Sequence, residues 1–313
     1  MREREASETA MMTAYMRAFH SMYESPKIFD DFLAYDMIPE EKRPLIQQYV
    51  TLNNRQLESK SSEHGSDHVD VFSPLTQTPN ALTRARYTED LLERSIKHGI
   101  KQYIILGAGL DTFAFRRPDI VEQLDIYEID HPATQQFKQQ RIAEMGWEHP
   151  ASLHFIPIDF TTEDLKTVLS SSDSFDQHVR SFFSWLGVTY YLTRDDVFTT
   201  LRSVADIAPA GSRIVFDYSS IDAFIPEKSS PRMKERLEFF RSIGEPMITG
   251  FNSLTLADDI ASLGLNLQEN LRLLDVKERY YQGHTDDRHA QEYEYIAYAD
   301  ISQGPLNRRV TLA

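Results

Sequence analysis

Between residues 100 and 220 the chain keeps returning to one pattern: a short run of β-formers, then a helical stretch. YIILGAG (103–109), VEQLDIYEID (121–130), SLHFIPIDF (152–160), HVRSFFSWLG (178–187) and SRIVFDYSS (212–220) read as five strands. HPATQQFKQQRIAEMG (131–146) and RDDVFTTLRSVADIAPAG (194–211) read as helices; Pro132 is allowed in a first turn, and Gly146 and Gly211 suit helix exits. Parallel neighbours need a long crossover, usually a helix. The alternation therefore predicts an α/β fold, a mostly parallel sheet with helices on both faces.

The flanks follow a different rhythm. Residues 1 to about 58 read as helical, with MMTAYMRAFHSMYES at helical spacing and Pro26 after it. Residues 59–80 read as a long polar loop, and ALTRARYTEDLLERSIKHG (81–99) as an amphipathic helix capped by Gly99. After the fifth strand, 219–253 reads as a helical insertion able to act as a lid. LTLADDIASLGL (254–265) reads as a helix, and NLQENLRLLDV (266–276) and EYEYIAYADI (292–301) as two last strands. The expected organisation is an N-terminal helical cap and loop over 1–80 and one α/β domain over 81–313, with the lid inside it.

Composition excludes several chemistries. The chain of 313 residues has no cysteine, so disulfides, thiolate nucleophiles and Cys-ligated metals are out. Net charge is −15, from 33 basic and 48 acidic residues, a field that repels phosphate backbones and argues against a nucleic-acid partner. No run approaches the ~18 apolar residues of a membrane span, and the first residues lack a signal-peptide pattern. The expected protein is soluble and cytoplasmic. The histidine-bearing stretches HGSDH (64–68) and GHTDDRH (283–289) lack the spacing of a metal helix motif and read as solvated loops, so no metal site is expected.

In such a sheet, ligands bind beyond the carboxyl ends of the strands. Gly107 and Gly109 follow the first strand, where glycine permits a tight turn and close backbone approach. The dinucleotide fingerprint GxGxxG is incomplete, since GAGLDT puts threonine in the third place, and this weighs against a nicotinamide-dependent oxidoreductase. Asp130 ends YEID, 21 positions after Gly109, where an acid accepts hydrogen bonds from ribose hydroxyls; it is equally a candidate helix cap. Asp159 and Phe160 end PIDF, placed for an adenine amine and ring; Asp159 or Thr161 is also a candidate cap for TTEDLKTVL. Three successive strand ends thus offer a nucleoside site.

TRARYTEDLL (83–92), IILGAGLDTFAFR (104–116), YEIDHP (127–132), PIDF (157–160) and GVTYYL (187–192), in this order, resemble the leucine carboxyl methyltransferase family, and within it the bacterial polyketide O-methyltransferase-like branch. The resemblance implies a Rossmann-like class I methyltransferase with a seven-stranded, mostly parallel sheet and S-adenosylmethionine as cofactor. It puts Gly107 and Gly109 beside the methionine moiety, Asp130 on the ribose and Asp159 near the adenine. The family's arginine for the cofactor carboxylate falls on Arg84 or Arg86, and a guanidinium fork suits a carboxylate. One departure stands out. Many relatives carry an acid where SWLGVTYYL has Leu186, and its absence favours a small-molecule acceptor over a protein carboxyl terminus.

For the acceptor side, Trp185, Tyr190, Tyr191, Arg194 and Tyr218 are expected to form the crevice wall. Tyr190 or Tyr191 is placed to hydrogen-bond the acceptor, and Arg194 to pair with an acidic one, with Asp195 and Asp196 as its competing partners. The expected reaction is O-methylation of a small carboxylate or phenol. A cofactor-binding protein without catalysis is the alternative that Leu186 leaves open.

Overall fold

A computed structural model of the chain describes residues 7–44, 74–282 and 292–302. Seven strands form one sheet in the order β3-β2-β1-β4-β5-β7-β6. They are β1 (Gln102–Leu106), β2 (Asp125–Asp130), β3 (Leu153–Pro157), β4 (Ser181–Trp185), β5 (Arg213–Ser219), β6 (Leu265–Arg272) and β7 (Glu294–Ile301). The first five run parallel, and β7 lies antiparallel between β5 and β6. The chain leaves β1 for β2 and β3 on one side, then returns to place β4 on the other. That reversal puts the topological switch between β1 and β4.

β1 and β4 are buried along their whole length, as strands covered on both faces must be. Successive side chains alternate between faces. Ile104 and Leu106 join an apolar cluster with Val197, Leu201 and Leu263, while Tyr103 and Ile105 join another with Tyr87, Leu92 and Val276. The alternating sequence thus feeds two cores, one on each face of the sheet.

Several boundaries differ from the sequence reading. The N-terminal helix is Glu8–Tyr23, capped by Ser7, whose side chain accepts from the Ala10 amide. Residues 24–44 then run mainly through turns, and 45–58 lie outside the described residues. The expected loop 59–80 is helical from Pro74, because one helix spans Pro74–Ile96 and crosses the expected boundary at 80; 59–73 lie outside the described residues. Polar composition hid this helix; the buried face that anchors it, with Leu82, Tyr87 and Leu92, lies further along. The helix after β3 starts at Leu165 and is capped by Asp164, so neither Asp159 nor Thr161 is its cap. LLDV, read as strand, begins the helix Leu273–Tyr280, with Leu273 and Val276 buried.

The insertion after β5 holds a short turn of 3₁₀ helix (Ile221–Phe224) and the helix Pro231–Ser242. It comes back to the sheet edge where Phe251 N donates to Ser219 O and Ile221 N to Phe251 O. Gly250 is required there: a Cβ would sit 2.7 Å from Ser220 O. Met233 and Phe240 of the insertion pack with Tyr190 in a separate apolar cluster. Among the described residues, no helix is long and apolar enough to cross a membrane.

Candidate active site

A cavity of about 450 Å³ opens beyond the carboxyl ends of β1, β2, β3 and β4. That is within the ~300–1,000 Å³ usual for small-molecule sites. Its floor is the turn after β1. Gly107 has φ of +70°, and a Cβ there would stand 2.3 Å from Val188 Cγ2. Gly109 has φ of +52°, and a Cβ there would stand 3.2 Å from that of Ala10. Both glycines are demanded by backbone conformation and by protein neighbours, one after β4 and one on the N-terminal helix.

Asp130 fixes this turn. One carboxylate oxygen accepts from Gly109 N and the other from His131 N at 2.6 Å. Burial pushes its pKa up, against the two amide donors that stabilise the charged form. His131, not Asp130, caps the following helix, its ring accepting from Ala133 N. The other acid of YEID, Glu128, is buried in an ion pair with Lys138. Asp159 lines the cavity beyond β3 and accepts from Thr161 N and Oγ1 at 2.9 and 2.6 Å. Burial would raise its pKa, but these bonds hold it below the usual value. Phe160 lines the same end, tilted against Trp185 with centroids 5.8 Å apart.

The two arginines of TRAR part company. Arg84 lines the cavity; its Nη1 donates to Asp217 at 2.7 Å and to Tyr190 Oη at 3.3 Å. Burial works to lower its pKa, but Asp217, Tyr190 and Glu294 together more than reverse that. Asp217 also accepts from Gly187 N at 2.7 Å, so one carboxylate braces the turn after β4 and the arginine together. Gly187 has φ of +76°, and a Cβ there would lie 2.8 Å from Arg84 Nη2. Arg86, by contrast, is half exposed, pairs with Asp90 one turn on at 2.9 Å, and does not line the cavity.

Tyr190 and Tyr191 both line the cavity, on a 3₁₀ turn (Thr189–Tyr191) that Thr189 Oγ1 anchors to Asp217 O. Burial pushes the Tyr190 phenol up to about 12 and the Tyr191 phenol well above its ordinary value. Both are neutral at physiological pH. Three other expected wall residues stand elsewhere. Arg194 pairs with Asp259 at 3.2 Å and lies over the Phe198 ring, while Asp196 is taken by a capping box with Thr193. Trp185 is wholly buried in the core, and Tyr218 is buried with its hydroxyl on Asn270 at 2.8 Å. Strand ends point alternate residues to opposite faces, and these two fall on the core side of the cavity wall.

The roof adds residues that the sequence reading missed. Glu245, on the return of the insertion, accepts from Ser7 Oγ at 3.2 Å, Glu8 N at 2.9 Å, Thr9 N at 3.4 Å and Thr9 Oγ1 at 2.5 Å. It clamps the start of the N-terminal helix to the insertion. A carboxylate at a helix N-terminus is stabilised there by unpaired amides and the helix dipole. Arg17 of that helix holds the floor from above, donating to Leu110 O at 2.7 Å. Arg236 of the insertion's helix and Glu294 of β7 form a buried ion pair, and Asn80 donates to Glu294 at 2.5 Å. All of Asn80, Arg236, Glu245 and Glu294 line the cavity. Leu186 also lines the cavity, as do the acids Glu245 and Glu294. Asp217 had one sequence signal, a lone acid in the apolar run IVFDYS; the others had none. The stretches HGSDH and GHTDDRH lie outside the described residues.

Residues 10–205 match the sequence profile of the leucine carboxyl methyltransferase family. The chain belongs to that family. A Bacillus subtilis protein named "Putative S-adenosyl-L-methionine-dependent methyltransferase YktD" is 34% identical over 305 residues, covering 96% of this chain and 99% of that one. A Mycobacterium marinum protein named "Putative S-adenosyl-L-methionine-dependent methyltransferase" is 28% identical over 238 residues, 75% of this chain and 71% of its own. Among solved structures, a "putative methyltransferase" from Thermobifida fusca superposes with a TM-score of 0.59 at 12% identity, covering 96% of each chain. A protein from Streptomyces avermitilis does so with a TM-score of 0.54 at 13% identity, covering 94% of this chain and 97% of its own. These two likenesses establish the Rossmann-like fold with its seven-stranded, mostly parallel sheet.

Proposed function

We propose that this family member transfers the methyl group of S-adenosylmethionine to an oxygen of a small-molecule acceptor. That it is an S-adenosylmethionine-dependent methyltransferase follows from its family and from the Bacillus relative that matches it end to end. Small-molecule O-methylation is our reading of the cavity. The observation that carries it is the clamped roof: Glu245 joins lid and N-terminal helix over the acceptor side, which suits an enclosed small acceptor better than a protein tail.

The residues present fit the cofactor. Arg84 has five donor hydrogens and commits Nη1 to Asp217 and Tyr190, so a carboxylate has others to use. Asp130 is aimed by Gly109 and His131, and its two oxygens keep lone pairs for ribose hydroxyls. Asp159 and Phe160 stand at the end suited to adenine. We therefore assign Arg84 rather than Arg86 to the cofactor carboxylate, with Gly107 and Gly109 as the turn beneath it, and we leave Arg194 out of the site.

When bound, S-adenosylmethionine supplies a methyl group already activated on a sulfonium. The chain has to orient the acceptor oxygen and keep water away. Tyr190 is a hydrogen-bonding group here and not a base, since its phenol stays protonated at neutral pH. An acceptor that arrives ionised, such as a carboxylate, needs no base. The test is turnover of S-adenosylmethionine with carboxylic acids and phenols, following S-adenosylhomocysteine and identifying the product by mass spectrometry. Methyl esters or ethers are expected; methylation of amines alone, or of peptide C-termini alone, would sink the reading.

A further inference from the structure

The lid helix Pro231–Ser242 buries a cation that it does not fully satisfy. Arg236 is 4% exposed and lines the cavity. Its Nη2 pairs with Glu294, yet Nε and Nη1 have no hydrogen-bond partner among the described residues. These two nitrogens carry three N–H groups, and a buried donor left unpaired is destabilising until a ligand satisfies it. The Phe240 ring, one turn on, supports the guanidinium with its centroid 5.5 Å away, a contact that orients the group without using its N–H donors. Arg232, one turn earlier, has an Nε that is likewise unpartnered among the described residues. Of the two guanidiniums only that of Arg236 lines the cavity and pairs with Glu294, while the cavity's Glu245 is already occupied by donors from Ser7, Glu8 and Thr9.

We propose that Arg236 anchors an oxyanion of the acceptor, a group separate from the oxygen that receives the methyl. A guanidinium gripping the nucleophile would withdraw the electron density that it must donate, so the anchor and the reacting oxygen are different groups. The acceptor is then an acid with a second acidic oxygen, such as a phenolic acid that reacts as its phenolate, the phenolic proton having been lost to solvent before binding. The inference rests on the proposed small-molecule reading and names the part of the site that selects the acceptor. Glu294 tempers the anchor: it holds Arg236 in place while leaving Nε and Nη1 to the ligand.

The experiment titrates hydroxyaryl carboxylic acids of increasing chain length, and the matched uncharged amides, into the full chain saturated with S-adenosylhomocysteine. Wild-type protein is expected to bind the best acid about 10–100-fold more tightly than its amide, the value of a charge-assisted hydrogen bond. Arg236→Met removes that preference while S-adenosylhomocysteine affinity stays within about twofold. Glu294→Gln, which releases the competing carboxylate, raises acid affinity and leaves amide affinity alone, a response that a structural role for the pair would not give. If Arg236→Met does not fold, the double variant Arg236→Met/Glu294→Gln, which leaves no unpaired charge, takes its place. Equal affinity for acid and amide in the wild type, no binding of any acid, or an acid preference that survives loss of Arg236 overturns the proposal. Failure of the wild type to bind S-adenosylhomocysteine would instead overturn the cofactor reading beneath it.

Discussion

The floor and the roof of the cavity are built in opposite ways. The floor is made by successive strand ends, with Gly107, Gly109, Asp130, Asp159 and Phe160 set by short local turns and backbone hydrogen bonds. The roof is made by side chains that meet across the whole chain: Ser7 and Thr9 with Glu245, Asn80 and Arg236 with Glu294. A site floor fixed by topology serves any member of a fold that keeps the strand order. A roof fixed by long-range charge pairs depends on residues far apart in the chain, and in our proposal it is the part that selects the acceptor.

The largest effect is expected in the wall between the two, at Asp217. Asp217 braces both Arg84 and the turn at Gly187, and it is buried. Asp217→Ala leaves Arg84 without its main counter-charge and is expected to cost about 3–5 kcal/mol in denaturant unfolding, with cofactor binding lost. A stable variant with normal S-adenosylhomocysteine affinity would show that Arg84 is held by something else. On the floor alone, Asp130→Ala should weaken S-adenosylhomocysteine binding by about 1–3 kcal/mol, because ribose hydroxyls and the Gly109 amide lose their acceptor; calorimetry reads this directly. Unchanged affinity would remove Asp130 from the ribose.

Glu245→Gln tests the roof alone. It keeps the shape but removes the charge from the helix N-terminus, at an expected cost of about 1 kcal/mol. Hydrogen exchange should rise at residues 8–12, and acceptor KM should rise more than the cofactor Kd. A cofactor Kd that moves as much as the acceptor KM would mean that the clamp does not separate the two halves. The smallest expected effect is that of Arg86→Ala. Its surface pair with Asp90 lies off the cavity, so stability should change by no more than about 0.5 kcal/mol and S-adenosylhomocysteine affinity not at all. A clear loss of affinity would return Arg86 to the site.

The contrast also explains what was legible beforehand. TRAR could not tell Arg84 from Arg86, because both sit on one helix two residues apart and only packing against β5 decides which meets Asp217. Arg194 read as a wall residue because it follows GVTYYL, but its helix starts there in a capping box and carries it to Asp259. The helix at Pro74 was hidden because polar residues with two prolines carry no apolar period.

The sequence by itself determined the parallel sheet, the strand ends that line the cavity and the glycine turn, since each arises from periodicity or from backbone freedom within a few residues. It also carried enough of the family's spacing to indicate a methyl donor. Only the tertiary structure decided the roof. Glu245 lies 238 residues from Ser7, and Glu294 lies 214 from Asn80, and nothing local records such a pairing. These groups are brought together because buried charges must find partners once the insertion packs beside the sheet and the last strand inserts between its neighbours.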